Sequence, residues 1–86
     1  MHTIELTKTA RKVYLKLPDK IRKSIREKLD RLAQYPFAPH HDVKQLQGIR
    51  GCYRLRVGDW RVIYKIHNQI LTIEVIKIGH RREIYR

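Results

Sequence analysis

Residues 53–66 read YRLRVGDWRVIYKI. Tyr53, Leu55 and Val57 alternate with Arg54 and Arg56; after Gly58 and Asp59, the residues Trp60, Val62, Tyr64 and Ile66 alternate with Arg61, Ile63 and Lys65. A period of two belongs to strands with one buried face, and a Gly-X pair between two such runs signals a two-residue type II′ hairpin. With Gly58 and Asp59 as the loop, Val57 pairs with Trp60, Leu55 with Val62 and Tyr53 with Tyr64. Those three pairs share one face, which must be the core. Arg56 then stands opposite Arg61 on the other face, with Arg54 one step along the same side.

Working outward, Ile70–Ile78 reads as a third strand after a turn around Asn68, with Gly79 ending it, so the C-terminal half is a three-stranded antiparallel meander. In its simplest register Glu74 lies diagonal to both Arg61 and Lys65. At the other end, His2–Leu6 alternates Ile4 and Leu6 against Thr3 and Glu5, a short half-buried strand. Ala10, Val13, Tyr14 and Leu17 then recur at helical spacing, with Thr7 or Thr9 available as N-cap. Pro18 and Asp19 stop that helix and start another, in which Ile21, Ile25, Leu29, Leu32 and Ala33 form one apolar stripe that ends before Pro36. The stretch Pro36–Asp42 is too irregular for an element and reads as a surface connection leading to Leu46, Gly48 and Gly51. The expected fold class is α+β: an N-terminal strand and an antiparallel helical hairpin packed on the meander.

The whole chain is 86 residues, the size of one small domain spanning 1–86. Twenty Lys and Arg against eight Asp and Glu give a net charge of +12. A core of this size, opposed by that much self-repulsion, favours an acidic partner. Cys52 is the only cysteine, so neither a disulfide nor a thiolate zinc site supports the fold, which fits a reducing cytoplasm. The N-terminus lacks the apolar run of a signal peptide, and no apolar stretch approaches the ~20 residues needed to span a bilayer. A soluble cytoplasmic protein with no membrane association is expected.

Directly opposed like charges on a sheet destabilise it unless solvent screens them or an anion lies among them. Alternating charge on an open sheet face often serves solubility alone. The tail, however, adds His80, Arg81, Arg82 and Tyr85 to Arg54, Arg56 and Arg61. Guanidinium groups bind phosphate bidentately, and a tyrosine ring stacks on an unpaired base, which together suit single-stranded RNA.

The segments KQLQGIRGCYRLRVGDWRVIYKI and TIEVIKIGHRREIYR, residues 44–66 and 72–86, resemble the RelE/ParE superfamily of bacterial toxins. The resemblance implies a RelE-like fold and a toxin of a type II toxin-antitoxin pair, inhibited by a cognate acidic antitoxin. Its RelE branch cleaves messenger RNA in the ribosomal A site without a metal or cofactor; its ParE branch inhibits DNA gyrase. The basic strand residues, the arginine after the hairpin turn, the arginine after the last strand and the C-terminal tyrosine of RelE-like enzymes correspond to Arg54, Arg56, Arg61, Arg81 and Tyr85. In that reaction the ribose 2′-hydroxyl attacks its own 3′ phosphate. Arg56 and Arg61 are assigned to the scissile phosphate, Arg81 to the leaving-group side and Tyr85 to a base, with Arg54, Lys65 and Arg82 as further RNA contacts. The sequence departs from the family at positions 54 and 56, where arginines replace lysines, one of which is often proposed as the base. Arginine is a poor base, which leaves His80 and Tyr85 as the nearest acid/base candidates. A ribosome-dependent mRNA interferase is the expectation. A gyrase inhibitor and an inactive relative that only binds antitoxin or nucleic acid are the alternatives.

Three other features carry less. His40, His41 and Asp42 are metal-ligand types without metal-ligand spacing and read as a solvated loop. Cys52 has no acid and histidine partners placed to activate it. Lys20, Arg22, Lys23, Arg26, Lys28 and Arg31 form a basic helix flank, either touching ribosomal RNA phosphates or simply solvated with Glu27 and Asp30 between them.

Overall fold

A computed structural model describes residues 1–84. Its elements are β1 (Thr3–Leu6), α1 (Lys8–Lys16), α2 (Asp19–Gln34), β2 (Val43–Gln45), β3 (Cys52–Val57), β4 (Trp60–His67) and β5 (Thr72–His80). The strands form one sheet in the order β1-β5-β4-β3-β2, with β1 parallel to β5 and the other neighbours antiparallel. The expected α+β class and hairpin are present. The sheet is nevertheless larger than a meander, because the N-terminal strand joins one edge and a short strand joins the other.

The hairpin has the expected register: Val57 pairs with Trp60, Arg56 with Arg61, Leu55 with Val62 and Tyr53 with Tyr64. Gly58 has φ +58° while Asp59 stays out of the left-handed region, as a type II′ turn requires. Leu55, Val57, Val62, Tyr64, Ile73, Val75 and Ile78 of the sheet are buried with Ala10 and Leu17 of the first helical segment and Ile25, Leu29, Leu32 and Ala33 of α2. The Tyr53 and Tyr64 rings stack with centroids 5.5 Å apart. Burial pushes the Tyr64 phenol well above its ordinary range, and the Tyr53 and Asp42 charges add to the effect.

Thr7, rather than Thr9, caps α1, accepting from the Ala10 amide (3.2 Å) while its hydroxyl donates to the Ile76 carbonyl (3.0 Å). That carbonyl belongs to the register break in β5. Ile63 pairs with Lys77 but Tyr64 pairs with Val75, so Ile76 is the extra residue of a bulge. The bulge moves Glu74 directly opposite Lys65, where its carboxylate meets His67 (3.1 Å), and puts Gly79 opposite Arg61. Glu74 is therefore not a neighbour of Arg61, contrary to the simple register.

Two boundaries also differ from expectation. The last strand starts at Thr72 because Leu71 has φ +49° in the preceding turn, with Ile70 and Leu71 67% and 54% exposed. Gly79 lies inside β5 rather than ending it. A Cβ there would approach Ile84 to 3.3 Å, and the buried Ile84 side chain fills that space on the outer face. Lys77 Nζ donates to the Ile84 carbonyl (3.1 Å), so the segment after β5 folds back across the sheet face that carries the arginines. Among the described residues no helix is long and apolar enough to cross a membrane.

Candidate functional site

The helices cover one face of the sheet, and the outer face carries Arg54, Arg56 and Arg61 by strand alternation. β2 extends that face. Val43 pairs with Leu55 and Lys44 with Arg54, which puts Lys44 beside the arginines. A cavity of about 100 Å³ opens here, lined by His41, Asp42, Lys44, Arg54, Arg56 and Arg61. Four basic side chains and a single carboxylate line it.

That carboxylate is committed elsewhere. The Asp42 side chain is 5% exposed, and its Oδ2 accepts from Lys28 Nζ at 2.7 Å. Lys28 also donates to the Arg56 carbonyl (3.1 Å), and the Arg56 amide donates to the Asp42 carbonyl (2.8 Å). One ammonium on α2 thus ties the start of β2 to β3 at Arg56. Burial alone would raise the Asp42 pKa, but the hydrogen bond and charge of Lys28 outweigh it and hold the carboxyl below its usual range. Asp42 is therefore a buried ion-pair partner and not part of a solvated loop, and Lys28 is not a free member of the basic helix flank.

Arg61 lies along the hairpin turn, with Nη1 donating to the carbonyls of Gly58 (2.8 Å) and Trp60 (2.9 Å). Both bonds come from Nη1, one of the three guanidinium nitrogens, so the fork is oriented while Nε and Nη2 keep their donors. Arg81 is held at the same turn. Its amide donates to the Asp59 carbonyl (2.8 Å), and its Nε lies 3.6 Å from Asp59 Oδ1, with the side chain 53% exposed. It flanks the turn and is not among the residues lining the cavity.

The remaining sequence candidates separate. Lys65 shares the outer face but sits between Cys52 and Glu74, two alternate positions beyond Arg61. Arg82 is exposed, its amide donating to His80 Nδ1 (3.3 Å). His80 pairs with Trp60, and the two rings meet edge to face at 5.6 Å, on the helix-covered side of the sheet. It is thus remote from the arginine cavity, and its expected acid/base role has no geometric support. Tyr85 lies outside the described residues. Sequence reasoning missed Lys44, His41 and Asp42 as cavity residues because β2 has three residues, too few for a periodic pattern to be read. Among the described residues no three His, Cys, Asp or Glu side chains gather as metal ligands.

A family model described as the ParE toxin of the type II toxin-antitoxin system, parDE, matches residues 4–85. The chain is 28% identical over 86 residues to Toxin RelG of Mycobacterium tuberculosis, covering 99% of this chain and 97% of that one. It is also similar to the toxin in the archaeal RelE-RelB complex from Pyrococcus horikoshii OT3, at 29% identity and TM-score 0.79, covering 95% of this chain and 97% of that one. The isolated E. coli RelE toxin superposes with TM-score 0.84 at 22% identity, over 99% of this chain and 92% of that one, a likeness of fold. With an arginine-lined sheet face on this fold and a family match over nearly its whole length, the chain belongs to the ParE toxin family of type II toxin-antitoxin systems, within the RelE/ParE superfamily.

Proposed function

We propose that this toxin is a ribosome-dependent endoribonuclease that cuts messenger RNA in the A site and so stops translation. The observation that carries the reading is the convergence of Lys44, Arg54, Arg56 and Arg61 on one small cavity of an open sheet face. Such a cavity suits a phosphodiester whose negative charge grows in the transition state. Preoriented guanidinium donors stabilise that charge most where they are already held in place, as Arg61 is by the turn carbonyls, while Asp42 and Lys28 anchor the backbone of Arg56.

In this reaction the O2′–P bond forms and the P–O5′ bond breaks, leaving a 2′,3′-cyclic phosphate and a 5′-hydroxyl. Arg56 and Arg61 hold the scissile phosphate. Arg81, beside the hairpin turn, serves the leaving-group side, and Tyr85 stacks on or orients a base. Lys44 and Arg54 bind the phosphate, with Lys65 and Arg82 meeting the RNA farther along. Much of the rate comes from the ribosome, which presents the codon in a fixed geometry. The partner that silences the toxin is an acidic antitoxin, consistent with a net charge of +12 and with the RelE-RelB complex formed by the Pyrococcus relative.

The ParE description of the matching family keeps a second reading, inhibition of DNA gyrase, as the direct competitor. Purified toxin added in parallel to a translation extract and to a gyrase supercoiling reaction separates them. Arrested protein synthesis with unaffected supercoiling supports the nuclease, and the reverse result replaces it with the gyrase inhibitor. Loss of neither activity identifies an inactive relative.

A further inference from the structure

Cleavage needs a group that accepts the 2′-hydroxyl proton, and with Tyr85 assigned above to a base of the RNA, that group is sought among the residues of the cavity. Lysine and arginine side chains keep their protons at neutral pH unless buried. Asp42, the one carboxylate of the cavity, is buried against Lys28, and His80 is on the opposite side of the sheet beside Trp60. His41 is the remaining lining residue. Imidazole offers a ring nitrogen that accepts a proton, which the guanidinium and ammonium groups around it lack.

The backbone holds His41 in place. The His40 carbonyl accepts from the Val43 amide (3.1 Å), closing a four-residue turn with His41 and Asp42 at its centre. The His40 ring donates from Nε2 to the Tyr35 carbonyl (2.9 Å), fixing the turn to the end of α2, and the buried Asp42–Lys28 pair fixes its other side to β3 at Arg56. An exposed histidine is thereby carried on an anchored turn at the rim of the arginine cavity. The charged groups facing that cavity are Asp42, Lys44, Arg54, Arg56 and Arg61, with Lys28 behind Asp42.

We propose that His41 is the general base of the cleavage, a role that rests on the nuclease reading above. Neutral His41 takes the proton from the 2′-hydroxyl as O2′ bonds to phosphorus. The P–O5′ bond breaks, its electron pair stays on O5′, and O5′ takes a proton from solvent water. The imidazolium then returns its proton to solvent, so the protein is unchanged. Arg56 and Arg61 carry the charge on the non-bridging oxygens throughout. The two arginines at positions 54 and 56 therefore need not act as bases, and their substitution for lysines ceases to be a defect.

The test is single-turnover cleavage on preformed ribosome–mRNA complexes between pH 5.5 and 8.5, at saturating toxin, for the wild type, His41→Ala and His41→Gln. Wild-type cleavage is expected to rise with pH across the range where an imidazole titrates. Both variants are expected to lose on the order of one hundredfold or more in rate, to lose that pH slope, and to keep the toxin concentration that gives half-maximal cleavage. Added imidazole should restore part of the His41→Ala rate and leave Arg61→Ala unrestored. Variants that cut within threefold of the wild type with the same pH slope overturn the assignment while leaving the nuclease reading intact. A wild type that cuts at no pH overturns both.

Discussion

Asp42→Asn removes the charge of a buried ion pair, Asp42–Lys28, while nearly preserving its shape. Hydrogen bonds to charged groups contribute about 1.5–3 kcal/mol, and removing one partner of a fully buried pair costs about 3–5 kcal/mol. Here Asp42 is 5% exposed but Lys28 is 31% exposed, so water relieves part of the ammonium left behind. A loss of about 2 kcal/mol follows, which for a domain of this size lowers Tm by roughly 8–16 °C. The effect has a defined pH dependence. The native carboxyl titrates below the 3.8 of a free aspartate, so its contribution is complete at neutral pH and disappears as pH falls through that lowered value. Thermal melts followed by circular dichroism should therefore show a wide gap between wild type and Asp42→Asn at pH 7 that narrows below about pH 4. Lys28→Met should cost a similar amount, and the double variant should cost much less than the sum of the two. Melting within 2 °C of the wild type at pH 7, or additive single losses, would refute the anchoring role of this pair.

Four further outcomes are expected. Arg61→Ala and Arg81→Ala should each fold normally and slow cleavage by on the order of one hundredfold, about 2–4 kcal/mol in the transition state, measured by cleavage of ribosome-bound message. Lys44→Ala should weaken RNA binding and lower the slope of log affinity against log salt by about 1, read from titrations at several salt concentrations. Gly79→Val should lose about 1–3 kcal/mol by forcing Ile84 off the sheet, seen as a lower Tm and faster carboxypeptidase digestion. Raising pH above 10 should destabilise the wild type more than Tyr64→Phe, because the raised phenol pKa stabilises the native state only while the unfolded tyrosine keeps its proton.

The parts of the fold with strong local pattern were legible from sequence. The Tyr53–Ile66 hairpin was readable to the residue because period-two alternation and a Gly-X turn point to the same register. Both helices were readable because their apolar stripes are bounded by Thr7, Pro18 and Pro36. What escaped notice depends on contacts distant in sequence. The parallel pairing of β1 with β5 joins residues about 70 positions apart, from Thr3 opposite Thr72 to Leu6 opposite Val75. β2 exists because three residues find the free edge of β3. The bulge at Ile76 is fixed by the Thr7 hydroxyl, and no pattern near Ile76 announces it. The same division governs the site. Arg54, Arg56 and Arg61 follow from hairpin register alone, whereas Lys44, Asp42 and His41 reach the cavity only through β2 and the Lys28 anchor.

The proposed cleavage of ribosome-bound message at the arginine cavity is read out by primer extension on mRNA recovered from a cell-free translation reaction given the purified toxin, with naked RNA and Arg61→Ala alongside. Cuts confined to translated codons, bearing a 2′,3′-cyclic phosphate on the upstream fragment and absent with Arg61→Ala, are the expected result. Intact message under translation, or cuts that survive Arg61→Ala, would contradict it.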